Sequence, residues 1–163
     1  MKSNEAITKL MEAGFQAEPG EVNRVGYHVR VTLEATQVRP FAQWLLTEGF
    51  FIDFLSAVDV SPAIQVIYQF AHFDGPCRIN ARVSLPDSGA IDTISDIYQG
   101  ASWHEREARD FFGVVFSGHP NLVPLILCEE DKDLKPLLKK EGAQKSLEEV
   151  GWGEKAVPDG AES

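Results

Sequence analysis

Five charged residues fill six positions at Glu105-Arg106-Glu107-Ala108-Arg109-Asp110, and Phe111-Phe112-Gly113-Val114-Val115-Phe116-Ser117-Gly118-His119-Pro120 follows. Three carboxylates so close together could form an acid/base set for proton transfer, with Glu105, Glu107 and Asp110 as its members. The same spacing offers each acid a cation. Glu105 and Arg109 stand at i,i+4 in the favourable orientation, and Arg106 and Asp110 make a second such pair. Pairs of this kind contribute only about 0.2–0.5 kcal/mol each on a helix surface. Charges matched so closely favour a structural or interfacial role over catalysis, and local helix stability is a weak reason for five of them.

Other chemistry finds little support. Gly113 and Gly118 have the glycine spacing of a phosphate loop, but His119-Pro120 stands where Lys-Ser/Thr would hold phosphate and magnesium. No G-x-G-x-x-G occurs. The four histidines, His28, His72, His104 and His119, form no metal-ligand spacing with one another or with a cysteine. Two cysteines, Cys77 and Cys128, cannot supply the four thiolates of an iron–sulfur cluster. No cofactor or metal is therefore expected. The cysteines stand far apart, which points to a reducing compartment. A formal charge of −10 argues against nucleic acid and anionic lipid as partners. The first residues lack the apolar run of a signal peptide, and no segment approaches the ~18 apolar residues of a membrane span. A cytoplasmic chain without direct membrane insertion is expected.

The elements that must carry the charged stretch are legible from periodicity. Residues 4–13 read as a helix with Ser3 or Asn4 as cap and Gly14 as stop. Residues 25–33 alternate as a half-buried strand, with Tyr27, Val29, Val31 and Leu33 on one face. Residues 37–48 form a second helix, capped by Thr36, whose inner stripe is Val38, Phe41 and Leu45. Residues 50–58 are a more buried strand. Residues 64–73 and 77–85 form a hairpin about Asp74-Gly75-Pro76, with Arg78, Asn80, Arg82 and Ser84 facing solvent or a partner. Residues 93–112 read as a helix broken near Gly100. Thr93 caps a first piece, Ser102-x-x-Glu105 boxes a second from Trp103 to Phe112, and Gly113 closes it. Residues 114–117 are extended. This order implies an α+β, two-layer fold, with helices packed on a mixed, mostly antiparallel sheet over residues 1–128. Residues 129–163, with Trp152 as the only aromatic residue of their last part, read as a charged C-terminal arm or flexible tail.

The stretch from 103 to 120 resembles the signature of the 30 kDa subunit family of respiratory complex I, NADH:quinone oxidoreductase, a module shared with energy-converting hydrogenases and formate hydrogenlyase. Trp103, Glu105-Arg106-Glu107, Asp110, Gly113, Phe116, Gly118, His119 and Pro120 carry the match. The resemblance implies an α+β domain without flavin, cluster or quinone. It also implies docking on the large catalytic subunit, of 49 kDa or hydrogenase type, beside other subunits of the peripheral arm. The signature residues would then mark the docking region, and the complex would hold the chain at the cytoplasmic membrane. Beyond Pro120 the chain departs from the pattern. Complex I members usually continue Asp-Leu-Arg-Arg, and Asn121-Leu122-Val123-Pro124 stands here. Complex I and hydrogenase-type assemblies both remain open on these residues. A free-standing enzyme using Glu105, Glu107 and Asp110, or a generic interaction domain, is the alternative.

Overall fold

The computed structural model of the chain describes residues 1–140, 142–147 and 149–150. Trp152 and the end of the C-terminal arm lie outside the described residues. The element order is α1 (Ser3–Glu12), β1 (Gln16–Pro19), α2 (Val22–Val25), β2 (Val29–Leu33), α3 (Val38–Thr47), β3 (Phe50–Val58), β4 (Gln65–His72), β5 (Arg78–Ser84), β6 (Ala90–Asp92), α4 (Ala101–Phe112) and β7 (Val115–Ser117). Five strands form one sheet in the order β1-β2-β5-β4-β3. Only β2 and β5 run parallel within it. β6 and β7 form a separate parallel pair. The α+β class read from the pattern is the observed one.

The alternation in β2 and β5 explains the core. Val31 registers with Ala81, Ala81 with Tyr68 and Tyr68 with Leu55, so one row of buried side chains crosses four strands. Helices cover that face: Ala6 and Leu10 from α1, Phe41, Ala42 and Leu45 from α3, and Ala101 and Ala108 from α4 join the same apolar cluster. Each fully buried large apolar side chain contributes about 1.5–3 kcal/mol. Phe41 meets Phe15 edge-on at 5.1 Å and Phe70 edge-on at 5.9 Å, which fixes α3 on the sheet.

Several local expectations are corrected. β2 begins at Val29 because Val22–Val25 forms a helical turn closed by Gly26. β1 and β6 are too short, at four and three residues, to show as patterns in the sequence. Neither Ser3 nor Asn4 caps α1, and Thr36 does not cap α3; Gln37 instead accepts the Glu34 N–H at 2.9 Å. Residues 93–100 form turns, not a first helical piece, because the Thr93 hydroxyl is engaged with Ser95 and Glu105. α4 starts at Ala101, and Ser102 lies inside it rather than capping it. Asn80 and Arg82 are buried on the outer sheet face, where Arg82 donates to Asn80 at 2.9 Å and to the Tyr27 hydroxyl at 3.1 Å. Downstream of Lys135, Lys139 is tied to Asp59 through its N–H (2.7 Å) and its Nζ (2.8 Å), and Ser61 donates to the Lys145 carbonyl at 2.9 Å.

Candidate functional site

α4 carries the charged stretch, and its charges do not pair along the helix as expected. Glu105 and Asp110 are fully buried. Glu105 turns away from Arg109 and reaches the turn before its own helix. One carboxylate oxygen accepts the Ile94 N–H at 2.8 Å, and the other accepts the Thr93 hydroxyl. It therefore closes no box with Ser102. The reason is burial: α4 packs its 101/105/108 face inward, and a carboxylate there must find donors inside the fold.

Asp110 and Arg106 act together on one loop. Asp110 Oδ2 accepts the successive N–H groups of Leu125 (2.8 Å), Ile126 (2.8 Å) and Leu127 (3.1 Å), while Oδ1 accepts from Arg109 at 2.9 Å. Arg106, one helical turn earlier, donates to the carbonyls of Val123 (3.0 Å) and Pro124 (2.7 Å). A cation and an anion at i,i+4 thus grip one five-residue segment by its opposite backbone groups. Burial pushes the Asp110 carboxyl up, but the three backbone donors and Arg109 outweigh it and hold the group down to about 2. Such a carboxylate is an anchor; it is poorly placed to act as an acid or base near neutrality.

His119 supports the other end of α4. Its side chain is fully buried, Nε2 lies 3.0 Å from Ser102 Oγ, and Nδ1 accepts the Asn121 N–H at 3.0 Å. An acceptor Nδ1 places the proton on Nε2 and makes the ring neutral. Burial, with Arg106 adding to it, lowers the His119 pKa from its ordinary value. Phe116 is buried in the core from β7, in register with Ile91 of β6. Gly118 and Gly113 both adopt positive φ, +81° and +76°. At Gly113 this left-handed residue ends α4, and an added Cβ would stand 3.1 Å from the Lys135 side chain.

What these residues hold up is apolar and exposed. Trp103 is 65% exposed, with the Arg106 guanidinium 5.8 Å from its ring centroid. Val123 and Ile126, on the gripped loop, are 46% and 56% exposed. Glu107, one turn after Trp103 on α4, is half-exposed and 4.0 Å from His104. Pro120 is exposed. The structure thus places Trp103, Arg106 and Glu107 on the outer side of α4, whereas Glu105, Asp110, Phe116 and the His119 side chain are buried. Loop 121–127 is a part of the site that sequence reasoning missed. Its signal is the apolar run Leu122-Val123-Pro124-Leu125-Ile126-Leu127, which has neither strand alternation nor helical length. No group of three or more His, Cys, Asp or Glu residues suited to a metal occurs among the described residues.

Residues 31–146 match the family model described as respiratory-chain NADH dehydrogenase, 30 Kd subunit. The C subunit of the NADH-quinone oxidoreductase of Geobacter metallireducens is 28% identical over 138 residues, which cover 79% of this chain and 83% of that protein. The C subunit of the F(420)H(2) dehydrogenase of Methanosarcina mazei is 34% identical over 77 residues, 47% of this chain and 49% of that protein. Among solved structures, a chain of the membrane-bound sulfane sulfur reductase, an archaeal respiratory membrane complex, superposes with a TM-score of 0.74 at 24% identity, covering 100% of this chain and 97% of that chain. The Nqo5 trypsin-resistant fragment (1-134) superposes with a TM-score of 0.62 at 24% identity, covering 75% of this chain and 100% of that chain. At this identity the two structures establish a shared fold.

Proposed function

The chain belongs to the 30 kDa subunit family of the respiratory-chain NADH dehydrogenase, and on that premise we propose that it is a non-catalytic structural subunit of a membrane-associated respiratory complex, docking on the large catalytic subunit. The observation that carries this reading is the use to which the signature charges are put. Arg106 and Asp110 spend their hydrogen bonds on shaping loop 123–127. That loop and α4 then display Trp103, Val123 and Ile126 to solvent. Exposed aromatic and aliphatic anchors on a rigid frame are the usual centre of a protein interface.

The partner is the large subunit, of 49 kDa or hydrogenase type. Val123-Pro124 stands where the complex I pattern usually has two arginines, which favours an apolar rather than acidic facing surface on this partner. Other subunits of the peripheral arm complete its surroundings. No helix among the described residues is long and apolar enough to cross a membrane; we place the chain on the cytoplasmic side, held to the membrane through its complex. The competing enzyme reading is disfavoured by Asp110, whose oxygens are all engaged.

Purification of the assembly through a tag on this chain tests the proposal. Val123→Asp with Ile126→Asp should lose the large subunit while the isolated double variant keeps its circular dichroism spectrum. Equal recovery of the large subunit by folded variant and wild type would overturn docking through this surface.

A further inference from the structure

Glu105 has an environment that the docking role does not use. Its side chain is fully buried, and within 4.0 Å its only basic neighbour among the described residues is His119, whose Nε2 lies 3.9 Å from Oε2. The hydrogen bond from Asn121 keeps that ring neutral. From α3, Arg39 approaches the same turn, but both its terminal nitrogens lie 2.7 Å from the Asp96 carboxylate, and it also donates to the Thr93 carbonyl at 2.6 Å. Asp92 from β6 and Asp96 from the 93–98 turn add negative charge, and the Tyr68 phenol from β4 is buried nearby in the field of Glu105. No full positive charge is dedicated to this carboxylate.

The site is also connected to solvent. A cavity of about 440 Å³ is lined by Arg39, Asp92, Thr93, Asp96, Ser117 and Gly118. Thr93 belongs both to that cavity and to Glu105, since its hydroxyl donates to Oε2. Ser95 Oγ lies 2.8 Å from Thr93 Oγ1.

We propose that Glu105 is a reversible proton-binding site, loaded from this cavity through the Thr93 hydroxyl. In the ionised state Oε1 accepts the Ile94 N–H and Oε2 accepts the Thr93 O–H. On loading, a hydronium in the cavity gives its proton to Thr93 Oγ1, and Thr93 passes its own to Oε2. One O–H forms on Glu105, one is lost from the hydronium, and the Thr93 hydroxyl is regenerated. The neutral acid then donates back to Thr93 Oγ1 and keeps its bond from Ile94. Both protonation states are satisfied, so the join between α4 and the 93–95 turn survives in each. Burial raises the Glu105 pKa to about 7, against the opposing pull of the Thr93 and Ile94 hydrogen bonds, which brings the exchange into the neutral range.

Carboxyl carbon NMR of the full chain with labelled glutamate, titrated from acid to mild alkali, tests this directly. One glutamate should titrate near 7, and that signal should be missing from Glu105→Gln. Thr93→Val removes the hydroxyl that favours the ionised form, so it should move the same titration upward. Should Glu105→Gln not fold, the Thr93→Val displacement makes the assignment, because Thr93 bonds no other glutamate among the described residues. Relative to Glu105→Gln, the wild-type folded-to-unfolded ratio should fall on the order of 10²-fold between about pH 5 and pH 8. If every glutamate titrates in the ordinary carboxyl range, or if the high one is unmoved by both substitutions, Glu105 is not a proton site.

Discussion

Removing the Asp110 carboxylate should detach loop 123–127 from α4. Its oxygens serve three consecutive backbone donors and Arg109 from a fully buried position. Asp110→Ala leaves those donors without an acceptor and strands part of a charged pair; breaking such a buried arrangement costs about 3–5 kcal/mol. Asp110→Asn keeps one amide oxygen for the loop but turns an NH₂ toward other donors, so a cost of about 2 kcal/mol is expected. The wild-type pH dependence gives an independent figure. The carboxyl sits at about 2 in the fold against 3.8 ordinarily. A folded pKa below the unfolded one contributes stability that is present above 3.8 and is lost as pH falls toward 2; the difference corresponds to about 2 kcal/mol. Urea denaturation at pH 7 and at pH 2.5 measures both effects, and amide hydrogen exchange at Leu125, Ile126 and Leu127 reports the loop itself. An Asp110→Ala variant with the wild-type urea midpoint and unchanged exchange at those three amides would refute the clamp.

Other outcomes follow from neighbouring contacts. Arg106→Met should cost about 1–3 kcal/mol by losing two charge-assisted bonds to the Val123 and Pro124 carbonyls, and should speed exchange in the same loop. Ser102→Ala should cost about 1 kcal/mol through its lost bond to His119, with helix content unchanged because Ser102 is not the cap. Burial lowers the His119 pKa, so its contribution to stability is present above 6.5 and declines as pH falls through that value; His119→Gln should remove that limb from urea midpoints measured at pH 5 and pH 7.5. Gly113→Ala should cost about 1 kcal/mol or more, since the residue is left-handed and its Cβ meets the Lys135 side chain, and a thermal melt should show it.

The α+β class, the 65–84 hairpin and the inner stripe of α3 were all legible because alternation and helical spacing are local properties of the chain. The end of α4 at Phe112 was also clear from Gly113. What its charges bind was not. Asp110 finds its donors 15 to 17 residues away, whereas spacing rules reach only one turn along the helix. Glu105 likewise passes over Arg109 for Thr93, because it lies on the buried face and the arginine does not. Ser102 has the type and position of a cap, yet α4 begins one residue earlier, and His119 claims its hydroxyl. Arg82 alternates as a surface residue, yet it is buried, with Asn80 and Tyr27 among its hydrogen-bond partners.

The proposed docking of the α4–loop surface on the large catalytic subunit is open to direct test. A photo-reactive amino acid placed at Ile126, and separately at Phe73, tests it in the intact assembly. Phe73 is the better-exposed site at 73% against 56% for Ile126, but it lies in the β4–β5 turn rather than on α4 or loop 121–127. Docking through this surface gives a cross-link from Ile126 to the large subunit and none from Phe73. A cross-link from Phe73 to the large subunit, with none from Ile126, would contradict it.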